Sequence, residues 1–171
     1  MKTILRFMAM CTLLCAVSCP DGFYYMPFKE SDEGMETASF YLDGEPFRSE
    51  GRNHFYASTD TLGNTFSLTS RCRSDLHSGT YADLRISIDL DTLQVISPAK
   101  DYQITPYTGT EDPQKEYVRV SIGNMYAKSG WIRFRTFKGT QASGNFEFVF
   151  EDEDFVEHTV MYGNFDAATN R

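Results

Sequence analysis

From Ala38 onward, apolar and polar residues alternate with a period of two, which is the spacing of a strand with one wet face and not of a helix. Leu84, Ile86, Ile88 and Leu90 alternate with Arg85, Ser87 and Asp89, the plainest example in the chain. Tyr117 to Tyr126 places Val118, Val120 and Ile122 on one face and Arg119 and Ser121 on the other. Gly130 to Phe137 sets Ile132, Phe134 and Thr136 against Trp131, Arg133 and Arg135, and Phe146, Phe148 and Phe150 alternate with Glu147 and Val149. Turn residues divide these runs. Asp43-Gly44 joins Ala38–Leu42 to Glu45–Arg48 as a two-residue hairpin, because a type I′ turn needs positive φ at both central positions. His54–Thr59 and Thr65–Cys72 flank residues 60–64, and Val156–Phe165 returns from the acidic turn Glu151–Asp154. The pattern predicts an all-β fold of about eight to ten antiparallel strands, arranged as a β-sandwich or a flattened β-barrel.

The first nineteen residues break that pattern. Lys2 and Arg6 precede an apolar run from Phe7 to Val17, and Ala16-Val17-Ser18-Cys19 closes it. A membrane-spanning helix needs ~20 apolar residues, so the run is too short to span. It resembles a bacterial lipoprotein signal peptide, with an ordinary secretory signal cut near Ala16 or Ser18 as the alternative. Cys11 follows Met10 and Cys15 follows Leu14, both bulky, whereas Cys19 follows Ser18; Cys19 is the expected lipidated residue. Acyl chains there would hold the mature protein on a membrane, since two or more chains bind stably where one does not. The expected organisation is a signal peptide over 1–18, a lipidated N-terminus and tether over 19–37, and one all-β domain over 38–171. The expected location is the cell envelope, anchored to the outer membrane on its periplasmic or its outer side.

Charge narrows the partners. The chain carries 24 acidic and 16 basic residues, and losing residues 1–18 would move its net charge from −8 to −10, because Lys2 and Arg6 go and no acid goes with them. Nucleic acid is therefore not an expected partner, since phosphate binding calls for a basic patch. After cleavage Cys72 would be the only cysteine besides Cys19, so no internal disulfide is expected, and Cys72 reads as a buried apolar residue.

Catalytic and metal motifs are sparse. His54, His77 and His158 are far apart and none falls in a metal-ligand spacing, so no metal or other cofactor is expected. Ser74-Asp75-Leu76-His77 gathers a hydroxyl, a carboxylate and an imidazole within four residues. Triad members generally come from separate segments, so this run reads as a polar loop. The acids offer no singled-out pair for glycoside hydrolysis. Aromatic residues, at 15% of the chain, are more suggestive. Trp131 shares a face with Arg133 and Arg135, and together with Tyr126, Tyr102 and Tyr107 these are the candidate ligand-contact residues, offering a stacking surface to a glycan or a protein partner. Tyr102 and Tyr107 lie in the longest irregular stretch, residues 97–116.

Three segments carry a resemblance. Gly130-Trp131-Ile132-Arg133-Phe134, Ser143-Gly144-Asn145-Phe146-Glu147-Phe148 and Gly163-Asn164-Phe165-Asp166, after the opening Ala38–Phe47, are similar to the strand-and-turn motifs of a family of uncharacterised Bacteroidota lipoproteins. Asp43 stands where that family usually has Asn, and Asn145 where it has Thr. The resemblance implies an all-β envelope domain and carries over no catalytic residue. The expected function is a non-enzymatic binding or assembly-support role on a lipid anchor. A barrel that carries a small apolar ligand is the alternative, and a glycan-acting hydrolase comes third.

Overall fold

Asp43 and Gly44 both adopt positive φ, 49° and 89°, and the hairpin they make joins β1 (Thr37–Leu42) to β2 (Glu45–Ser49), with Leu42 opposite Glu45. The computed structural model describes residues 30–91, 93–109, 116–138 and 140–169. Cys19, the signal segment and the first part of the tether lie outside them. Eight further strands follow: β3 (Phe55–Thr59), β4 (Thr65–Ser74), β5 (Tyr81–Asp89), β6 (Asp101–Gln103), β7 (Tyr117–Ile122), β8 (Met125–Lys138), β9 (Gln141–Glu151) and β10 (Glu157–Ala168). In the β3–β4 turn, the Asp60 carboxylate accepts the backbone N–H groups of Gly63, Asn64 and Thr65 through one oxygen.

All pairings are antiparallel. The order β2-β1-β10-β9-β8-β7-β5-β4 closes on itself because β2 also pairs with β4, through Phe47–Ser74, Arg48–Arg73 and Ser49–Cys72. The result is a closed eight-stranded barrel, which settles the choice between sandwich and barrel. β3 adds to β4 along the part of its edge that β2 leaves uncovered, and β6 adds to β8. Closure removes the exposed edges that an open sheet would leave to aggregation.

Eight strands leave an interior that side chains can just fill. Here phenylalanines fill it. Phe47 stacks on Phe40 at 5.6 Å, Phe40 meets Phe146 at 6.2 Å, Phe146 meets Phe165 at 6.5 Å, and Phe165, Phe134 and Phe66 contact one another at 5.1–5.6 Å. These rings come from β2, β1, β9, β10, β8 and β4, so they tie opposite walls together, each pair adding ~0.5–1.5 kcal/mol beyond area burial. Leu68, Leu84, Ile86, Ile88 and Ile132 complete the layer. Outward positions on β4 and β5 are polar, for example Ser67, Thr69, Arg71, Arg85 and Ser87. No helix among the described residues is long and apolar enough to cross a membrane.

One expected strand is two. The run Tyr117–Tyr126 breaks at Gly123-Asn124, where the chain reverses so that Ser121 pairs with Tyr126 and Ile122 with Met125. Bulges in β8 between Ala127 and Ser129 and between Phe134 and Thr136 then shift its inward parity, and Phe137 packs against the core after the second.

Candidate functional site

Because Leu84, Ile86 and Ile88 point into the barrel, Arg85 and Ser87 must point out, and the same alternation turns Tyr117, Arg119 and Ser121 outward from Val118, Val120 and Ile122. Pairing then aligns side chains across strands. Tyr56 of β3 faces Thr69 of β4, Thr69 faces Arg85 of β5, Arg85 faces Ser121 of β7, and Ser121 faces Tyr126 of β8. One row across five strands thus has a tyrosine at each end and an arginine at its centre.

The Tyr126 end is built up by the segment after β6. β7 and β8 part beyond two residue pairs, and the chain wedges between them: Ile104 N–H donates to the Gly130 carbonyl at 2.9 Å and Thr105 N–H to the Val118 carbonyl at 2.7 Å. That fastening brings Tyr107 over Tyr126, with ring centroids 4.4 Å apart. The Arg119 guanidinium lies 4.2 Å from the Tyr117 ring centroid and 5.1 Å from that of Tyr107. Arginine on an aromatic face is held by the ring quadrupole, worth ~0.5–1 kcal/mol where exposed. Tyr126 remains 43% exposed.

Two clefts flank Arg85 and share it as a wall. The first, about 180 Å³, is bounded by Arg85, Ser87, Tyr117, Arg119, Ser121 and Tyr126. The second, about 400 Å³, is bounded by His54, Tyr56, Thr69, Arg71, Asp83 and Arg85. Arg71 donates to Asp83 at 3.0 Å.

The candidate ligand-contact residues do not form one surface. Tyr107 and Tyr126 come together as described. Trp131 sits five residues along β8 from Tyr126, ~17 Å at the rise of a strand, and is half-buried with the Arg133 guanidinium 5.8 Å from its ring. Arg133 is committed to Asp101, donating from Nε at 2.6 Å and from Nη2 at 2.8 Å, and that hydrogen bond and charge hold the Asp101 carboxyl below its usual range. Arg135 is drawn away to the N-terminal segment, where it donates to Asp32 and to the Ser31 carbonyl. Tyr102 departs furthest from the expectation. It is 4% exposed, its ring lies edge-on to Phe134, and its hydroxyl accepts the Ser97 N–H at 2.7 Å, so it packs the core and offers no platform.

Arg85, Arg119 and Tyr117 were legible in the sequence only as the wet side of strands. Their signal was the alternation itself. What gathers them is the register between β5, β7 and β8, which no local pattern encodes.

The Ser74 loop has a definite role. The Ser74 hydroxyl donates to the Glu45 carboxylate and accepts the N–H groups of Leu76 and His77, and His77 Nδ1 meets the same Glu45 oxygen at 2.8 Å. The serine thus faces a carboxylate, not the imidazole, and its hydrogen bond holds Glu45 below the usual carboxylate range. Among the described residues no three His, Cys, Asp or Glu side chains are grouped to hold a metal ion.

No protein family matches the chain, and neither a curated protein nor a solved structure is found to be similar to it.

Proposed function

We propose that this protein is a lipid-anchored envelope domain whose closed barrel presents a binding face, centred on Tyr107 and Tyr126, to a partner outside it. The observation that carries this reading is the tyrosine pair itself. Two rings 4.4 Å apart and tilted by 30°, Tyr126 being 43% exposed, keep apolar surface in water, and the Arg119 guanidinium packs on Tyr107. Rigid, partly exposed aromatics beside an arginine are the composition of binding hot spots.

The barrel axis supports this over the carrier alternative. An eight-stranded barrel can enclose a small ligand, but here the fully buried phenylalanines occupy the middle of the barrel. The cleft linings support binding over hydrolysis. Glycoside hydrolysis needs two carboxyl groups ~5–9.5 Å apart, and among the described residues the one carboxylate bounding either of these two clefts, Asp83, is paired with Arg71.

Two measurements test the reading. Mass spectrometry of the mature N-terminus should find an acylated Cys19; an unmodified peptide running through Cys19 would overturn the anchor. The full chain, displayed against immobilised glycans and isolated envelope proteins, should retain a component that the Tyr107→Ala/Tyr126→Ala double variant does not. Equal retention by a double variant of unchanged melting temperature removes this face from the function.

A further inference from the structure

We infer that the face running from Tyr56 to Tyr126 binds an extended oligosaccharide that carries an internal uronic acid, its carboxylate received by Arg85. This inference rests on the binding reading above and names the ligand class for it.

Tyr56, Thr69, Arg85, Ser121 and Tyr126 lie on five neighbouring strands in direct register, so the tyrosines stand four strand spacings apart, ~19 Å measured along the convex wall of the barrel, with Arg85 midway. An elongated ligand lying across the strands would meet an aromatic platform at each end and a cation between. Tyr56 is 62% exposed, and its ring is as available as that of Tyr126.

Among the described residues Arg85 and Arg73 are exposed arginines without an ion pair, and of the two only Arg85 borders the clefts. Arg48, Arg52, Arg71, Arg133 and Arg135 each lie on a carboxylate. Arg85 is exposed and has no ion pair or hydrogen bond among the described residues. Its strand neighbours explain this, since Thr69 and Ser121 oppose it on either side and neither can take its charge. Among the described residues Arg71, Arg85 and Arg119 bound the two clefts against one carboxylate, Asp83, a local surplus of positive charge on an acidic chain. A guanidinium in that position suits a planar carboxylate, which it can grip with two parallel N–H donors.

The rest of the surface selects a sugar. Side chains along the row are hydroxyl-bearing or aromatic, and the aliphatic residues at the clefts are not offered to a partner: Val120 is buried, and the exposed Leu62, Leu76, Leu93 and Val95 lie in turns outside the row. A docking helix or an apolar protein patch would find no aliphatic ground there. Sugar rings pair apolar faces with equatorial hydroxyls, which matches tyrosine faces interleaved with Thr69 and Ser87, while Ser121, 4% exposed, borders the first cleft from within the wall. The charge pattern is also specific. One accessible arginine between two uncharged platforms fits an acidic ring flanked by neutral ones, whereas a nucleic acid brings a phosphate at every unit to a strongly acidic protein.

The test uses the full chain in detergent on an array of oligosaccharides that alternate neutral sugars with uronic acids, together with the same compounds after carboxyl reduction to the neutral sugar. The expected result is retention of one or more acidic compounds, with at least tenfold weaker binding of the reduced form. Arg85→Gln should lose the same tenfold on the acidic compound and nothing on the reduced one, while Tyr56→Ala and Tyr126→Ala should weaken both. Added salt should weaken only the acidic compound. If the reduced compound binds as well as the acid, or Arg85→Gln changes neither, the acidic-ligand inference is overturned while the binding face stands. If no oligosaccharide is retained but an envelope protein is lost from the Tyr107→Ala/Tyr126→Ala variant, the sugar is wrong and the face is right. If that double variant loses nothing, both fail.

Discussion

The Asp166 carboxylate on β10 accepts the backbone N–H of Gly34 at 2.8 Å, and its other oxygen accepts those of Glu33 at 3.0 Å and Met35 at 3.2 Å. A few residues earlier, Asp32 is held by Arg135 and Ser143, and Glu30 by Asn145. The end of the expected tether is therefore strapped, from residue 30 onward, to the outer face of β8, β9 and β10. In the barrel circuit β9 stands opposite β4 and three strands from β5. The chain thus approaches on one side of the barrel while Arg85 and Tyr56 face the other.

Replacing Asp166 should release this strap. Hydrogen bonds to a charged acceptor are worth ~1.5–3 kcal/mol each, and water recovers part of that once the segment is free. Asp166→Ala should therefore cost about 2–4 kcal/mol in urea unfolding and should speed amide exchange at Glu33, Gly34 and Met35 above all other sites. Unchanged exchange at those three amides would mean that the strap is held by Arg135 and Ser143 alone.

Gly163 on β10 lies under the Phe146 ring. A Cβ at that position would sit 2.3 Å from Phe146 Cε2 and 2.6 Å from the Phe146 carbonyl oxygen, and both the ring and the backbone are fixed by the barrel. Overpacking of this kind costs ~1–3 kcal/mol and sometimes more. Gly163→Ala should fall at the upper end, because Phe146 belongs to the ring chain through Phe40 and Phe165 and cannot step aside alone. Differential scanning calorimetry reads the change directly. A melting temperature within a degree of the parent would show that β10 can shift at its bulge beside Gly163 and absorb the methyl group.

How much of this could be read in advance depends on the range over which each feature is decided. The Asp43-Gly44 hairpin and the inward set Leu84, Ile86 and Ile88 are local, fixed by turn chemistry and by a period of two, and both stand as read. The Gly123-Asn124 reversal carried its own turn signal, but unbroken apolar alternation on either side concealed it. Barrel closure depends on β2 meeting β4 and β1 meeting β10, pairs of segments with nothing in their own sequences to name the partner. Tyr102 illustrates a second limit. It sits in a stretch rich in Pro and Gly, which reads as surface loop, yet three residues of β6 pair with β8 and turn its ring inward. The row from Tyr56 to Tyr126 was legible only as separate outward positions, since its assembly needs four registers at once.

His158 makes the stability of the barrel depend on pH. Its Nδ1 meets Asp43 Oδ2 at 2.5 Å and its Nε2 meets Asp152 Oδ2 at 3.1 Å, so the imidazole ties the β1–β2 turn to the β9–β10 turn. Hydrogen bonds donated to Asp43 and then to Asp152 raise its pKa above the ordinary 6.5. Asp152 is held below its ordinary 3.8, first by the Val156 N–H and then by His158. A raised histidine contributes stability that is fully present below 6.5 and is lost as pH climbs through the folded value. A lowered aspartate contributes stability present above 3.8 and lost as pH falls through its folded value. The clasp is complete between those limits. Urea midpoints of the parent and His158→Gln should differ most near pH 5 and converge in mildly alkaline buffer; a constant difference from pH 5 to pH 9 would show that the imidazole acts by packing on Phe150 and not by charge.

Cys72 reports on the seam that closes the barrel. It is fully buried, and burial pushes its thiol up to about 12, so almost none is thiolate at pH 8 and a thiol reagent must wait for the site to open. Two kinds of opening expose it. The β2–β4 ladder is only three residue pairs long and ends at Ser49–Cys72, whereas the β4–β5 ladder on the other edge has nine. A short ladder opens at lower free energy than the whole barrel, as local openings in native proteins generally do. Labelling of Cys72 by a disulfide reagent, followed by mass spectrometry of its peptide, should therefore be slow in native buffer and should rise with urea less steeply than global unfolding does. Equal slopes would mean that β2 leaves β4 only when the barrel unfolds, and fast labelling without denaturant would mean that the seam stands open.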